Sequence, residues 1–258
     1  MSSNDLFERV AVIGAGTMGN GIAQVFASCG SAVTLVDVDG DALDRGVAAI
    51  GKSLARVVKK ERMSQEDADA AMGRISRSTR LEDLSDRELI VEAVSERADL
   101  KAKIFRTLDE VAPASAILAS NTSSISITEI AAVTGRADKV IGMHFMNPVP
   151  VMKLVEVIRG QETSDETTDA VMRASTALGK EPVEANDYPG FVSNRVLMPM
   201  INEAVFCLME GVATKEGIDT VMKLGMAHPM GPLTLADLIG LDVCLDILEV
   251  LHRGLGDD

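Results

Sequence analysis

The sequence contains few aromatic residues, with no Trp, one Tyr and six Phe among 258 residues. Aliphatic side chains and 14 Met must therefore fill the interior, which suits helices packed on a parallel sheet. Hydrophobic residues make up 47% and charged residues 25%, a balance that excludes disorder as the main state. At this length the chain can form one large domain and a smaller one.

Positive charge is also scarce, since 25 Lys and Arg face 39 Asp and Glu and the formal net charge is −14. This balance argues against nucleic acid as a partner, because phosphate binding needs clustered cations. No apolar run approaches the ~20 residues of a membrane span, and the polar N-terminus resembles neither a signal nor a transit peptide. The three cysteines, Cys29, Cys207 and Cys244, are isolated. They favour free thiols in a cytoplasmic protein over a disulfide or a metal site.

The first forty residues predict a β-α-β unit, with a buried strand over 9–13, a helix over 19–29 and a second strand over 32–37. Strands and helices continue to alternate after it. The predicted elements are a long amphipathic helix over 41–62, a strand over 89–94, a helix over 100–111, and strands over 116–119 and 139–143. This alternation predicts an α/β fold with a doubly wound, mostly parallel sheet of the Rossmann type.

The pattern changes at the break Asp187-Tyr-Pro-Gly190, beyond which it is helical only. We expect helices over 192–210, with a kink at Pro199, and over 215–224 and 233–251. The predicted organisation is a cofactor domain over 1–187 followed by a smaller all-α domain over 188–258. The second segment holds more apolar residues than so short a segment can bury, which predicts a homodimer formed through its helices.

A cofactor site is predicted where the first strand meets the first helix. The fingerprint G-x-G-x-x-G occupies Gly14, Ala15, Gly16, Thr17, Met18 and Gly19. Its glycines permit a tight turn, backbone approach to a pyrophosphate and close helix packing, and the helix N-terminus favours the phosphates. Asp37 ends the next strand, where a carboxylate binds the ribose hydroxyls, and no Arg follows in 38–41 to hold a 2′-phosphate. The site therefore favours NAD, although Asp37 could instead only cap the next helix.

Four later motifs occur in a fixed order. They are Ala119-Ser-Asn-Thr-Ser-Ser124, the segment from Gly142 to Glu156, Pro189-Gly-Phe-Val-Ser-Asn-Arg195, and Gly231-Pro-Leu-Thr-Leu-Ala-Asp237. Together with the fingerprint, they make the chain resemble the 3-hydroxyacyl-CoA dehydrogenase family over essentially its whole length. The resemblance is strongest to the short bacterial 3-hydroxybutyryl-CoA dehydrogenases. It implies NAD-dependent interconversion of 3-hydroxyacyl-CoA and 3-oxoacyl-CoA, an acyl-CoA partner and no metal, and family members continue beyond Asp258.

An acid–base pair is predicted around His144, which follows the predicted strand over 139–143. The turn Asn147-Pro-Val-Pro150 leads into a second apolar stretch, so a chain that folds back there brings Glu156 beside His144. A carboxylate behind an imidazole fixes its tautomer and raises its basicity, as alcohol oxidation requires. A single His is more often structural, but the resemblance assigns His144 as the base and Glu156 as its partner.

The resemblance assigns further site residues. Ser123 is expected near the 3-oxygen of the substrate and the nicotinamide, and Asn194 near the acyl carbonyl. Either could otherwise be a turn or capping residue. Glu96, Lys101 and Asn147 are expected to contact the cofactor, although Glu96 and Lys101 could equally begin a solvated helix.

The predicted helix over 41–62 has a cationic outer face formed by Arg45, Lys52, Arg56, Lys59 and Lys60. Such faces are usually only solvated, but a concentration of cations in so acidic a chain fits the phosphates of coenzyme A. The resemblance implies that Ser53 and Lys60 contact coenzyme A, and Arg56 shares their face. Two rivals remain open. A dehydrogenase of a sugar acid without coenzyme A would not need this face, and a catalytically silent relative would not need His144 with Glu156.

Overall fold

The computed structural model describes residues 5–256, which form two compact units, the first ending at Asp187 and the second beginning at Tyr188. The strands, all in the first unit, are β1 (Arg9–Ile13), β2 (Ala32–Val36), β3 (Ile75–Ser78), β4 (Leu89–Glu92), β5 (Ile117–Ser120), β6 (Val140–Phe145), β7 (Leu154–Arg159) and β8 (Glu181–Asn186). Its helices are α1 (Thr17–Ser28), α2 (Gly40–Lys59), α3 (Gln65–Gly73), α4 (Ala98–Val111), α5 (Ile127–Ala131) and α6 (Asp165–Ala177). The helices of the second unit are α7 (Ser193–Met209), α8 (Lys215–Gly225), α9 (Pro232–Ile239) and α10 (Leu241–Leu255).

The strands form one sheet in the order β3-β2-β1-β4-β5-β6-β7-β8. All neighbours are parallel except β6 and β7, which are antiparallel. The sheet therefore winds outward from β1 and β4 in both directions, and the predicted doubly wound, mostly parallel sheet is confirmed. In such a sheet ligands bind at the carboxyl ends of the strands, where the winding direction reverses. Here the reversal lies between β1 and β4.

The central strands are mostly apolar because helices cover both faces of a parallel sheet. Every residue of β4, β5 and β6 is buried. From α1, Ile22 and Phe26 pack into the same core as Val12 and Leu35 of the sheet. This packing fixes the helix N-termini at the carboxyl edge of the sheet.

The sequence prediction missed α3 and β3. The helix predicted over 41–62 ends at Lys59, and Glu61 has a positive φ of 56°. Ser64 then caps α3 by accepting a hydrogen bond from the backbone N–H of Asp67 at 3.0 Å. The strand β3 lies at the sheet edge with only its two end residues half-buried, so its sequence carries no apolar run. The prediction likewise missed α6 and the polar edge strand β8.

The helix predicted over 233–251 is two helices, α9 and α10, which meet at Gly240. Gly240 has a φ of 104°, a left-handed conformation that glycine adopts without strain. Helical periodicity on both sides of Gly240 concealed the break from the sequence. A small core joins α7, α9 and α10 through Met198, Ala236 and Leu251.

The motif from Gly231 to Asp237 has a structural explanation within the second unit. The carboxylate of Asp219 accepts hydrogen bonds from the backbone N–H groups of Leu233 at 2.9 Å and Thr234 at 3.0 Å, and from the Thr234 hydroxyl. Burial raises the pKa of Asp219, but the hydrogen bonds from Thr234 and Leu233 outweigh it and hold the pKa below its usual range. A Cβ on Gly231 would lie 2.2 Å from Cγ of Asp219, so glycine is required there.

Across residues 5–256, no helix is both long and apolar enough to cross a bilayer. The same residues contain no group of three His, Cys, Asp or Glu side chains arranged to hold a metal ion.

Candidate active site

The three glycines of the fingerprint lie in different surroundings. Gly14 has a φ of 100°, and a Cβ there would lie 2.6 Å from the carbonyl oxygen of Ala93. A Cβ on Gly19 would lie 1.7 Å from the carbonyl oxygen of Gly14. The fold itself therefore requires both. A Cβ on Gly16 would meet no atom within 4 Å, so the space before Gly16 is open for a ligand.

The N-terminus of α1 faces this open space. Gly16 is its N-cap and supplies no side chain, and no acidic residue lies in the first turn. Within the described part of the chain, the backbone N–H groups of Gly16, Thr17 and Met18 have no acceptor. Unpaired N–H groups and the positive end of the helix dipole bind a pyrophosphate well. The turn therefore fits the phosphates of a dinucleotide.

Asp37 lies at the carboxyl end of β2, beside the glycine turn. Its Oδ2 accepts a hydrogen bond from the backbone N–H of Ala15 at 2.8 Å, and its Oδ1 accepts one from Asp39 at 3.1 Å. The N-cap of α2 is Asp39, whose Oδ1 accepts from the Asp41 backbone at 2.9 Å. Asp37 is thus not the capping residue, and it lines the cavity next to the turn.

That cavity has a volume of about 720 Å³ and extends from the glycine turn past Asp37. Leu81 lines it after β3, and Lys103, Ile104 and Thr107 line it from α4. Sequence patterns do not indicate these residues, because α4 becomes a cavity wall only through its packing beside the sheet. Lys103 and Thr107 add polar groups to its lining. Arg45 also lines the cavity, paired with Asp39 at 3.4 Å.

His144 and Glu156 are paired across β6 and β7. The antiparallel register sets His144 opposite Glu156, and His144 Nδ1 lies 2.8 Å from Glu156 Oε2. Both side chains are buried, at 8% and 2% exposure. The predicted fold-back is confirmed. The prediction was wrong in one detail, because β6 extends to Phe145 and His144 lies inside the strand rather than after it.

Ser123 lies in the loop that follows β5, the neighbour of β6, and Glu96 holds this loop. Glu96 Oε1 accepts hydrogen bonds from the Ser123 N–H at 2.9 Å, the Ser124 N–H and hydroxyl each at 3.0 Å, and the Thr122 hydroxyl. Burial raises the pKa of Glu96, but Lys101 and these hydrogen bonds outweigh it and hold the pKa below its usual range. Glu96 is therefore a carboxylate that orders the loop bearing Ser123.

Lys101, near the start of α4, is not a solvated residue. Its side chain is 1% exposed, and its Nζ lies 2.7 and 2.8 Å from the two carboxylate oxygens of the fully buried Glu92 and 3.3 Å from Glu96. Its contact with the cofactor stays a prediction. Lys101 bridges the two carboxylates. Glu92 was not identified from the sequence.

Asn147 and Asn194 lie in different parts of the chain. Asn147 is exposed in the turn between β6 and β7, at the carboxyl edge of β6. Asn194 belongs to the second unit, where it lies in the first turn of α7 and its N–H donates to the carbonyl of Gly190 at 3.1 Å. Their roles toward cofactor and substrate stay predictions.

The cationic face predicted on the helix over 41–62 lies on α2 and its C-cap. Lys52, Arg56, Lys59 and Lys60 are exposed, and none of them pairs with an acidic group among residues 5–256. Ser53 is half-buried beside them. Four unpaired cations on one helix face create a positive patch in an otherwise acidic protein.

Comparisons with known proteins agree along the whole chain. Residues 9–188 match the sequence model of the 3-hydroxyacyl-CoA dehydrogenase NAD-binding domain, and residues 190–258 match that of the C-terminal domain. The chain is 53% identical to 3-hydroxybutyryl-CoA dehydrogenase from Clostridioides difficile, over 96% of this chain and 89% of that protein. Human mitochondrial hydroxyacyl-coenzyme A dehydrogenase is 44% identical, over 96% and 81%.

Solved structures give the same result. The crystal structure of (S)-3-hydroxybutyryl-CoA dehydrogenase from Ralstonia eutropha superposes with a TM-score of 0.95 at 52% identity, covering 97% of this chain and 89% of that one. The names of these relatives give acyl-CoA substrates, so the rival hypothesis of a sugar-acid dehydrogenase is not favoured.

Proposed function

The chain belongs to the 3-hydroxyacyl-CoA dehydrogenase family, and from that premise we propose that His144 is the acid–base group of its reaction. The enzyme interconverts 3-hydroxyacyl-CoA and 3-oxoacyl-CoA with NAD, and its relatives indicate 3-hydroxybutyryl-CoA and acetoacetyl-CoA as the pair. The observation that carries the assignment is the buried contact of 2.8 Å between His144 Nδ1 and Glu156 Oε2.

The pair performs the proton half of the reaction. In oxidation, His144 takes the hydroxyl proton through Nε2, while Glu156 holds the proton on Nδ1 and stabilises the positive charge that develops on the ring. In reduction, the imidazolium returns a proton to the 3-oxygen. When bound, NAD supplies the nicotinamide carbon that accepts or donates the hydride. The backbone N–H groups of residues 16–18 and the carboxylate of Asp37 would hold its pyrophosphate and ribose.

Ser123 and Asn194 complete the proposed substrate contacts. The Ser123 hydroxyl would donate to the 3-oxygen, and its position on the loop between β5 and β6, ordered by Glu96, supports this role. Asn194 would donate to the acyl carbonyl, a role supported by its motif alone. Asn147 would contact the cofactor from the turn that follows β6.

A direct assay tests the proposed reaction. The intact protein should oxidise NADH when acetoacetyl-CoA is added, and it should oxidise NADPH far more slowly, because Asp37 repels a 2′-phosphate. Free acetoacetate, which has the same reacting carbonyl without coenzyme A, should be a poor substrate. Absence of NADH oxidation with every short 3-oxoacyl-CoA would contradict the proposal.

We propose that the cationic face of α2 binds the phosphates of coenzyme A. Replacing Arg56 and Lys60 with Glu should raise KM for acetoacetyl-CoA roughly tenfold or more, because two charge-assisted contacts become repulsive. The value of kcat should stay within about twofold, since these contacts are alike in ground and transition states. The KM difference from wild type should shrink as salt is added.

The exposed Arg106 of α4 offers a matched control for this charge reversal. Arg106→Glu changes the net charge in the same direction without altering the cationic face, so its KM should remain close to that of wild type. If both charge-reversal variants raised KM equally, the net charge of the protein would explain the increase. That result would contradict a coenzyme A site on α2.

We propose a homodimer formed through the second unit. This unit carries many large apolar side chains that the chain itself leaves exposed, among them Val196, Val205, Phe206, Met209, Val212, Val221, Leu224, Leu238, Leu241 and Leu245. Exposed apolar surface on this scale is typical of an interface between subunits. Light scattering should give twice the mass of the chain at micromolar concentration, and Phe206→Glu with Leu224→Glu should shift it toward the monomer.

The control for the dimer is Val183→Glu in β8, which alters an exposed apolar residue of the first unit. It should leave the mass unchanged. A monomeric wild type, or dissociation by Val183→Glu alone, would contradict a dimer held by the helices of the second unit.

We assign the protein to the cytoplasm. Its three cysteines, Cys29, Cys207 and Cys244, are free thiols. Reducing compartments keep thiols in this state, and in bacteria, the source of several relatives, that compartment is the cytoplasm.

A further inference from the structure

Asn121 joins the two strands that carry the proposed reacting groups. It follows the last residue of β5, and its Oδ1 accepts a hydrogen bond from the backbone N–H of Phe145 at 2.9 Å. Phe145 directly follows His144 on β6, and Ser123 lies two residues after Asn121. One side chain therefore connects the end of the His144 strand to the start of the Ser123 loop.

The chemistry of this contact requires an acceptor at Asn121. The pairing of β5 with β6 ends at Ser120 and Gly142, while β6 continues to Phe145. The Phe145 N–H, which faces β5, therefore has no backbone acceptor on that strand. A side-chain amide carbonyl resembles a peptide carbonyl, and Asn121 supplies it in place of the missing strand. Because the Phe145 N–H can only donate, the amide of Asn121 must direct its oxygen toward it.

The other side of Asn121 is held by the neighbouring strand. Its N–H donates to the carbonyl of Glu92 at 2.7 Å, so the main chain still follows β4 at this point. The next residue, Thr122, is 1% exposed, and Glu96 fixes the residues that follow. The Ser123 loop is therefore held by two side chains, Glu96 on the side of β4 and Asn121 on the side of β6. Asn121 connects it to the strand of His144.

We infer that Asn121 is a positioning residue for the dehydrogenase reaction, which sets the distance between the Ser123 hydroxyl and the His144 imidazole through its bond to Phe145. This inference rests on the roles proposed above for His144 and Ser123. The two groups act on the same substrate oxygen in that scheme, so their separation must match it, and a shift of about 1 Å is enough to slow such a step strongly. Asn121 itself does not contact the reacting atoms in this assignment.

The test compares Asn121→Ala with Asn121→Asp. The Ala variant loses the acceptor, and kcat for acetoacetyl-CoA reduction should fall roughly 10- to 100-fold. The dissociation constant for NADH should stay within about twofold, because the glycine turn is untouched. The Asp variant keeps an oxygen for the Phe145 N–H and should recover most of kcat. Hydrogen exchange at the Phe145 amide should be fast in the Ala variant and slow in the Asp variant.

Ser31→Ala is the matched control, because Ser31 is buried and its hydroxyl donates to the carbonyl of Phe7 at 2.7 Å. This bond lies at the amino end of β2, whereas the site lies at the carboxyl edge of the sheet. It should lower Tm without lowering kcat. The inference is overturned if Asn121→Ala keeps kcat within twofold of wild type, or if kcat falls without recovery in Asn121→Asp. If Asn121→Ala does not fold, Asn121→Asp alone can decide. A low kcat in Asn121→Asp, with the Phe145 amide still protected from exchange, also overturns the inference. Inactive wild type would contradict the proposed function instead.

Discussion

Replacing His144 with Ala should lower kcat for the reduction of acetoacetyl-CoA by roughly 10²- to 10⁴-fold, the range that general acid–base groups contribute. The variant retains the glycine turn and Asp37, so NADH should bind with nearly unchanged affinity. Removing the imidazole deletes its 2.8 Å contact with the buried carboxylate of Glu156, so Tm should also fall. Stopped-flow absorbance measures the NADH oxidation, and fluorescence titration measures the binding.

The exposed His252 of α10 provides the control for this substitution. His252→Ala removes an imidazole of the second unit and should keep kcat near wild type. An active His144→Ala variant would reject the assigned base. A variant that lost NADH binding together with activity would instead indicate that His144 supports the fold of the cofactor site.

Replacing Gly16 with Val should weaken NADH binding by about 100-fold or more, because the side chain occupies the space where backbone N–H groups meet the pyrophosphate. The fold should tolerate the change, since a Cβ at this position meets no atom within 4 Å and φ is −68°. Tm should therefore remain within a few degrees of wild type. Calorimetric titration with NADH and a thermal melt measure the two quantities separately.

Substitutions at two other glycines serve as controls for this prediction. Gly73→Ala also adds a methyl group into open space but far from the turn, and it should alter neither Tm nor NADH affinity strongly. Gly19→Ala should destabilise the protein, because its Cβ would lie 1.7 Å from the carbonyl oxygen of Gly14. Unchanged NADH affinity in Gly16→Val would reject the pyrophosphate site at this turn.

Local sequence patterns predicted most of the fold. Continuous apolar runs predicted the central strands, and the fold-back around Asn147 predicted the pairing of His144 with Glu156, because a short turn fixes an antiparallel register. The edge strand β3 was missed because an edge strand that is half-exposed has no such run. The break at Gly240 was missed because helical periodicity continues on both sides of it.

The parts of the site that could not be predicted depend on contacts between distant segments. Lys101 has the sequence context of a solvated helix start, yet Glu92 and Glu96 bury it. Nothing local to Lys101 marks Glu92, since an acidic residue at a strand end is usually a surface residue. The bond from Asn121 to Phe145 arises only when β5 ends before β6 does. Such contacts require the sheet order, which the sequence patterns do not specify.

His144 and Glu156 should act as one unit, and a double-mutant cycle on kcat/KM tests this coupling. The four proteins are wild type, His144→Ala, Glu156→Gln and the double variant, each assayed with acetoacetyl-CoA and NADH. If Glu156 acts only through His144, Glu156→Gln should slow the wild type strongly but leave the rate of His144→Ala unchanged. The double variant should therefore be as slow as His144→Ala alone. Multiplied losses in the double variant would contradict the pair and assign Glu156 a separate role.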